Sequence, residues 1–353
     1  MEEPPLKIQK KEDSNDKGNI GSVLRDLFTE KYSITPQHGV GINTVKFSPD
    51  GKRLLTCSSD GRIEVYNVDD GKLLTTLRGH LKGVSDVTFS PIDYNIIASC
   101  SDDLTVRLWS ISKGKCVKVL RKHTYHVTNV KFSRKGNILI TASADETITI
   151  WDIMSGVSLK TLAAHSDPIS SIALSPDSTL IASGSYDGLM RLFDLESGHC
   201  LKTLSFNTSS GTATASTTDV LNSPISHVEF SPNGKYILSS SLDGYLRLWD
   251  YMDNKVMKTY SGPKEDDSKV STSHCCGSKF ITRSSSPLII SGSEKSGLLF
   301  WDVQTKEIVS QIKKTDTTIL DVDVYDGGSL VAYCTIDGVI SLLDMNTSFK
   351  DAI

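Results

Sequence analysis

Four histidines stand at a near-constant distance from four aspartates: His38, His80, His123 and His165 precede Asp60, Asp103, Asp145 and Asp187 by 22, 23, 22 and 22 residues. A carboxylate that orients an imidazole is the core of many general-base and triad sites, so any one pair taken alone could be read as a catalytic dyad. Four copies argue against it, because catalysis needs one constellation converging in one pocket. The repetition fits a structural network instead. Each imidazole is expected to bridge a carboxylate at a turn, a Ser or Thr hydroxyl and a large residue further along, satisfying buried polar groups inside its own repeat. Cys57, Cys100, Cys116, Cys200, Cys275, Cys276 and Cys334 show no CxxC spacing. A zinc site or disulfide framework is therefore not expected, and the thiols read as reduced and mostly buried. GxSxG, HExxH and phosphate-binding glycine loops are missing from the sequence. No catalytic residue, metal or cofactor is implied, and the chain reads as a non-enzyme.

The elements that would hold these residues repeat with them. All four tryptophans, Trp109, Trp151, Trp249 and Trp301, fall at one repeat position, and Tyr66, Phe193 and Leu343 occupy it in three further units. Six residues earlier stands an acid in six units (Asp60, Asp103, Asp145, Asp187, Asp243, Asp337), with Lys295 breaking the column in the sixth. Two residues before that column every unit has a hydroxyl, from Ser58 to Thr335. Thr147-Ile148-Thr149-Ile150-Trp151 alternates with the period of a half-buried strand, and VKFSPDGKRLLTCSS reads as two strands joined by a tight turn. About four short strands per unit, repeating every 42 or 43 residues, is the WD-repeat period. The expected fold is all-β, a seven-bladed propeller. Blades five to seven lack the histidine and must close differently.

Only nine residues follow Asp344, too few for a full last strand, so Leu27 to Ile34 is expected to complete blade seven and remove its open edge. The reading of domains is a tail over 1–20 without fixed structure and a single propeller over 21–353. Two spacings exceed the period. They predict loop insertions near 205–222, a Ser/Thr/Gly-rich and mobile stretch, and near 261–274, a charged one.

The chain has 353 residues, 38% hydrophobic and 23% charged, with a formal net charge of −4. No apolar run approaches the ~20 residues of a membrane helix, and the first residues lack the order of a secretory signal, so a cytosolic or nuclear location is expected. Lys and Arg are spread out rather than massed in a stripe. Direct nucleic-acid binding is not expected, and any chromatin role would run through protein partners.

Longer strings carry a more specific signal: AHSDPIS (164–170), SYDGLMRLFD (185–194), SGHCLKTL (197–204), FSPNGKYIL (230–238), LWDY (248–251), SGSEK and QTKEIV (304–309). Together they resemble the WD-repeat core adaptor family of the histone H3 lysine-methyltransferase assemblies, called COMPASS in fungi and MLL-type complexes in animals. The resemblance runs over nearly the whole ring, is strongest in blades four to six, and leans toward the fungal members. It implies a nuclear scaffold joining a SET-domain methyltransferase subunit to a second WD-repeat subunit, with histone H3 engaged at most indirectly. In that family one mouth of the pore takes an arginine between two phenylalanine rings. The matching positions here are Thr128 and Gly277, and a lip aromatic is matched by Ala144, so the aromatic cage is lost. Gly41, Gly83, Ser85, Asp102, Ser170, Tyr186 and Cys275 match the rest of that mouth. The family's second site, a cleft between blades five and six on the opposite face, receives an acidic and aliphatic peptide. Asn233, Tyr236, Leu248, Phe280 and Gln304 match it, with Met257 and Thr282 altered. Small residues at a pore mouth and apolar residues on strands also serve plain packing. A substrate-receptor or signalling propeller is the alternative, without supporting sequence such as an amphipathic helix ahead of the ring.

Overall fold

A computed structural model describes residues 28–36, 39–207, 212–214, 222–264, 267–284, 286–314 and 316–345. They form seven antiparallel sheets, six of four strands and one of five, arranged as the blades of a propeller. Blade two shows the pattern: Val84–Phe89, Ile96–Ser101, Thr105–Ser110 and Lys115–Arg121 run from the channel outward, each paired to the next. The innermost strands alternate apolar and polar residues. The two middle strands are almost wholly buried, and the outer strand of blade two alternates exposed and half-buried residues as a half-solvated edge should.

Apolar faces of successive sheets meet in seven clusters, one at each boundary. Between blades one and two, Leu55, Ile63, Val65 and Leu77 pack on Val84, Val87, Ile97 and Trp109. The large residue of each repeat therefore fills the seam with the preceding blade, which is why the position tolerates Trp, Tyr, Phe or Leu but nothing small. The ring closes as expected. Phe28–Ile34 pairs antiparallel with Ile340–Met345 as the outer strand of blade seven, and Tyr32 donates from its hydroxyl to the Val68 carbonyl of blade one at 2.7 Å.

One expectation is adjusted. The insertion near 205–222 is not purely loop: Cys200–Asn207 extends the outer strand, and Thr212–Thr214 adds a fifth strand to blade four. Ser and Thr residues suit an edge strand as well as a loop, and composition alone does not separate the two. Among the thiols, Cys200 and Cys275 are exposed and Cys116 half-buried, while the other four are buried. The tail 1–20 and His38 lie outside the described residues.

Candidate functional site

The His–Asp pairs form the same network in three consecutive blades. His80 Nδ1 lies 2.9 Å from Asp103 and its Nε2 2.7 Å from Ser99 Oγ, to which Trp109 donates at 2.8 Å. His123, Asp145, Thr141 and Trp151 repeat this with distances of 2.9, 2.7 and 2.9 Å. In blade four His165 meets Asp187 and Ser183, and Phe193 has no N–H to add. The hydroxyl in the chain is four residues before the acid. The conspicuous column two residues before it does other work: Ser101 accepts from the Asp103 N–H and donates to the Gly83 carbonyl. Although burial opposes it, hydrogen bonds from Thr105, Leu81 and His80 hold the Asp103 carboxyl at about 2. Burial pushes His80 below its ordinary value despite the carboxylate, so the imidazole is neutral near pH 7. These pairs are separated, one per blade, and shielded by their own turns. Asp60, whose candidate partner His38 is not described, is held by Ser58 at 2.5 Å and Arg62 at 2.9 Å.

Blades five and six close by devices the sequence reading missed. In blade five Arg247 replaces the imidazole, reaching Asp243 at 2.5 Å and lying 4.0 Å over the Phe206 ring. Blade six has Lys295 in the acid column, and the neighbouring Glu294 takes over. Its Oε1 accepts from the backbone N–H groups of Thr272, Ser273 and His274 at 3.0, 2.5 and 2.8 Å, tying down the second insertion. Against burial, the Ser273 and His274 N–H groups and the Ser271 hydroxyl hold Glu294 at about 2.

The channel carries most of the remaining buried charge. Six inner strands shift register after their first residue, which leaves one residue per blade outside the ladder and turns its side chain to the upper mouth. Asn43, Thr128 and Ser170 use that freedom to donate to the Val84, Ile169 and Ile225 carbonyls of the following blade at 2.7, 2.7 and 2.6 Å. One step deeper, Asp321 and Asp86 accept the Val45 and Val130 N–H groups at 3.2 and 3.1 Å. Lys46, Lys131 and Lys279 balance them by pairing with Asp321, Asp86 and Glu229. This collar divides an upper chamber of about 150 Å³ from a lower one of about 290 Å³.

At the upper mouth, the matched residues gather around the first chamber or its rim. Ser85 donates to Asp102 at 3.1 Å, and Tyr186 lies 3.5 Å from the Cys275 sulfur. Gly83 and Gly41 leave room for neighbouring carbonyls: a Cβ at Gly41 would sit 2.5 Å from the Ile336 oxygen. A Cβ at Gly277 would meet Asp321 Oδ1 at 2.2 Å, and Thr128 already uses its hydroxyl between blades. Ala144 sits in the turn held to His126 at 2.8 Å. The positions where aromatic rings were sought are thus committed to closing the ring.

On the opposite face, Leu248 belongs to the apolar cluster joining blades five and six, and Tyr236 and Phe280 pack half-buried against it. Lys258, next to the 48% exposed Met257, crosses the boundary to the Val303 and Gln304 carbonyls at 2.8 Å each. Asn233 and Gln304 are exposed at turns on this face, and Thr282 is exposed beside Gly327. Asn233 also holds its own turn, accepting from Ser231 and the Lys235 N–H. Among the described residues no group of three or more His, Cys, Asp and Glu could hold a metal ion, and no helix is long and apolar enough to cross a membrane.

Comparison with known proteins agrees with this architecture. The chain is 38% identical over 89 residues to the COMPASS component SWD3 of Saccharomyces cerevisiae, a match covering 24% of this chain and 27% of that protein. It is 46% identical over 56 residues to the WD repeat-containing protein VIP3 of Arabidopsis thaliana, 16% of this chain and 17% of that one. With human WD repeat-containing protein 86 the figures are 38% over 76 residues, 22% and 17%. The matches thus span between about a sixth and a quarter of these relatives' lengths. The model of the WDR5 beta-propeller domain matches residues 34–344, most of the ring described above, so the chain belongs to the WDR5 beta-propeller family.

Proposed function

We propose that this propeller is a non-catalytic scaffold in a COMPASS-like complex that methylates histone H3 on lysine 4. In this reading it joins a SET-domain methyltransferase subunit to a second WD-repeat subunit, works in the nucleus and performs no chemistry itself. The likeness to a COMPASS component supports the complex. The structural observation that carries the reading is the boundary of blades five and six, where Tyr236 and Phe280 lie half-buried over Leu248 with Met257 and Gln304 open beside them. Such a surface, apolar at its floor with amide groups at its edge, suits an extended acidic and aliphatic peptide from the second WD-repeat subunit.

The upper mouth is the lesser site in this account. Without two ring faces worth roughly 0.5 to 2 kcal/mol each, arginine binding there is weakened about 5- to 1000-fold relative to a caged site. The cleft is tested by titrating a pool of labelled acidic-aliphatic peptides against the whole chain. Binding lost in Met257→Glu, whose side chain is 48% exposed, and in Phe280→Ala would support it. Equal binding by the wild type and Met257→Glu would remove the cleft from the account.

A further inference from the structure

We propose that the seam between blades one and two carries a socket, on the same face as Gln304, that binds a tyrosine side chain of a partner protein. The socket is defined by its filled copies. In five seams a side chain from the outer strand of one blade crosses to the turn that follows the large residue of the next repeat. Lys118 donates to the Ile153 and Met154 carbonyls at 3.0 and 2.8 Å, Lys202 to those of Tyr251 and Met252 at 2.9 and 2.5 Å, and Lys258 to those of Val303 and Gln304. Lys160 reaches the Glu196 carbonyl in the same way. Between blades seven and one Tyr32 takes this place, its hydroxyl donating to the Val68 carbonyl at 2.7 Å.

Blade one sends nothing across. Thr75 pairs with Val65 as Lys118 pairs with Leu108 and Lys160 with Ile150, so it stands in register with the lysines, but its side chain is too short to cross. Among the described residues no side chain donates to the Ile111 or Ser112 carbonyl. The floor of the socket is open as well. The fifth residue after the large one is a left-handed glycine in four blades, Gly71, Gly114, Gly156 and Gly198. A Cβ on Gly71 would meet the Tyr32 ring at 3.0 Å, one on Gly156 would meet Lys118 Cδ at 2.7 Å, and one on Gly198 would meet Lys160 Cδ at 3.4 Å. At Gly114 it would meet nothing within 4 Å. Ile111 and Cys116, on either side of that turn, pack on the apolar cluster of the seam and give a ring an apolar surface to lie against.

The residue after the large one selects the donor. All four lysines enter turns that begin with an acid, Asp152, Asp194, Asp250 and Asp302, whereas Tyr32 enters beside Asn67. Lys31 adds a longer bond of 3.3 Å to the Val68 carbonyl, in a turn that holds Asp69 and Asp70. Blade two has Ser110 at this position, and its turn carries Lys113 and Lys115 and no acid. That turn repels an ammonium group and accepts a neutral phenol. A tyrosine ring lying over Gly114, as Tyr32 lies over Gly71, brings its hydroxyl to the free carbonyl. Neither the blade five–six cleft nor the methyltransferase reading enters the argument.

The test uses the full chain and fluorescence polarisation with labelled, capped octapeptide pools, each with one fixed central residue, Tyr, Phe, Lys or Ser, and randomised flanks. The Tyr pool should bind best, about fivefold tighter than the Phe pool, as one neutral hydrogen bond is worth. Gly114→Asn should keep the wild-type melting temperature, since Asn254 holds the equivalent left-handed position in blade five at φ 54°, and should lose the preference for Tyr. Ser110→Asp gives blade two the acid of the lysine sockets and should move the preference from Tyr to Lys, a result that does not depend on how Gly114→Asn folds. Equal binding of the Tyr and Phe pools, a preference for Tyr retained by folded Gly114→Asn, or an unchanged preference in Ser110→Asp would each overturn the proposal.

Discussion

Replacing Asp103 with alanine isolates the structural role of the repeated His–Asp pairs. The carboxylate receives His80 Nδ1 at 2.9 Å, the Leu81 and Thr105 N–H groups at 3.0 Å each, and the Thr105 hydroxyl. Leu81 is exposed, so water can take over its N–H. The His80 ring is buried and its Nδ1 keeps only the longer contact with the Thr105 hydroxyl at 3.4 Å, a loss that costs about 2 kcal/mol, within the range for a poorly satisfied buried group. Spread over the unfolding entropy of a 353-residue chain, that lowers the melting temperature by about 3 °C. Urea unfolding and thermal scans of wild type, Asp103→Ala, Ser99→Ala and the double variant measure it. The two single losses should be less than additive in the double variant, because Ser99 and Asp103 hold the two nitrogens of one ring. A melting temperature unchanged within a degree, or lost peptide binding at full stability, would refute the structural reading and reopen a functional one.

Three further outcomes follow from the same geometry. Asp103 titrates at about 2 in the folded chain against an ordinary 3.8, so its contribution is present above about pH 4 and is lost as the pH falls toward 2. His80 is lowered from 6.5 by burial, so its contribution is also lost on acidification, starting below about pH 6.5; melting temperature should fall in two stages from pH 7 to 3, and a flat profile would contradict this. Arg247→Ala strips the buried partner of Asp243 and should cost about 3 kcal/mol in denaturant unfolding, more than truncating exposed Lys255. Gly277→Phe, which would restore one ring of the family's cage, should lower stability rather than create arginine affinity, because its Cβ meets Asp321; calorimetry with an arginine peptide decides between these.

The ring was legible because its signal is repeated: one tryptophan column, one acid column and alternating strands specify blade number, register and closure together. The fifth strand of blade four was not legible, since Thr212–Thr214 lies in a stretch whose composition fits loop and edge strand alike. Within the site, the His–Asp pairing could be read from spacing, but which of the two hydroxyl columns meets the ring could not. Ser101 and its equivalents are uniform because they cap a turn, whereas Ser99, Thr141 and Ser183 vary with the strand and meet the ring only in three dimensions. Arg247 and Glu294 were missed because each replaces a lost histidine or acid from a different position in its repeat. The channel charges were also missed. Lys46, Asp86 and Asp321 look like ordinary polar positions of an inner strand until the ring brings blades far apart in sequence together.

Native affinity purification of this chain, with co-purifying proteins identified and the eluate assayed for methyl transfer to histone H3, tests the scaffold most directly. The account predicts a SET-domain protein, a second WD-repeat protein and methylation of lysine 4, all reduced by Tyr236→Ala with Phe280→Ala and retained by Thr128→Ala. Recovery of ubiquitin-ligase or signalling subunits without histone methylation would contradict it.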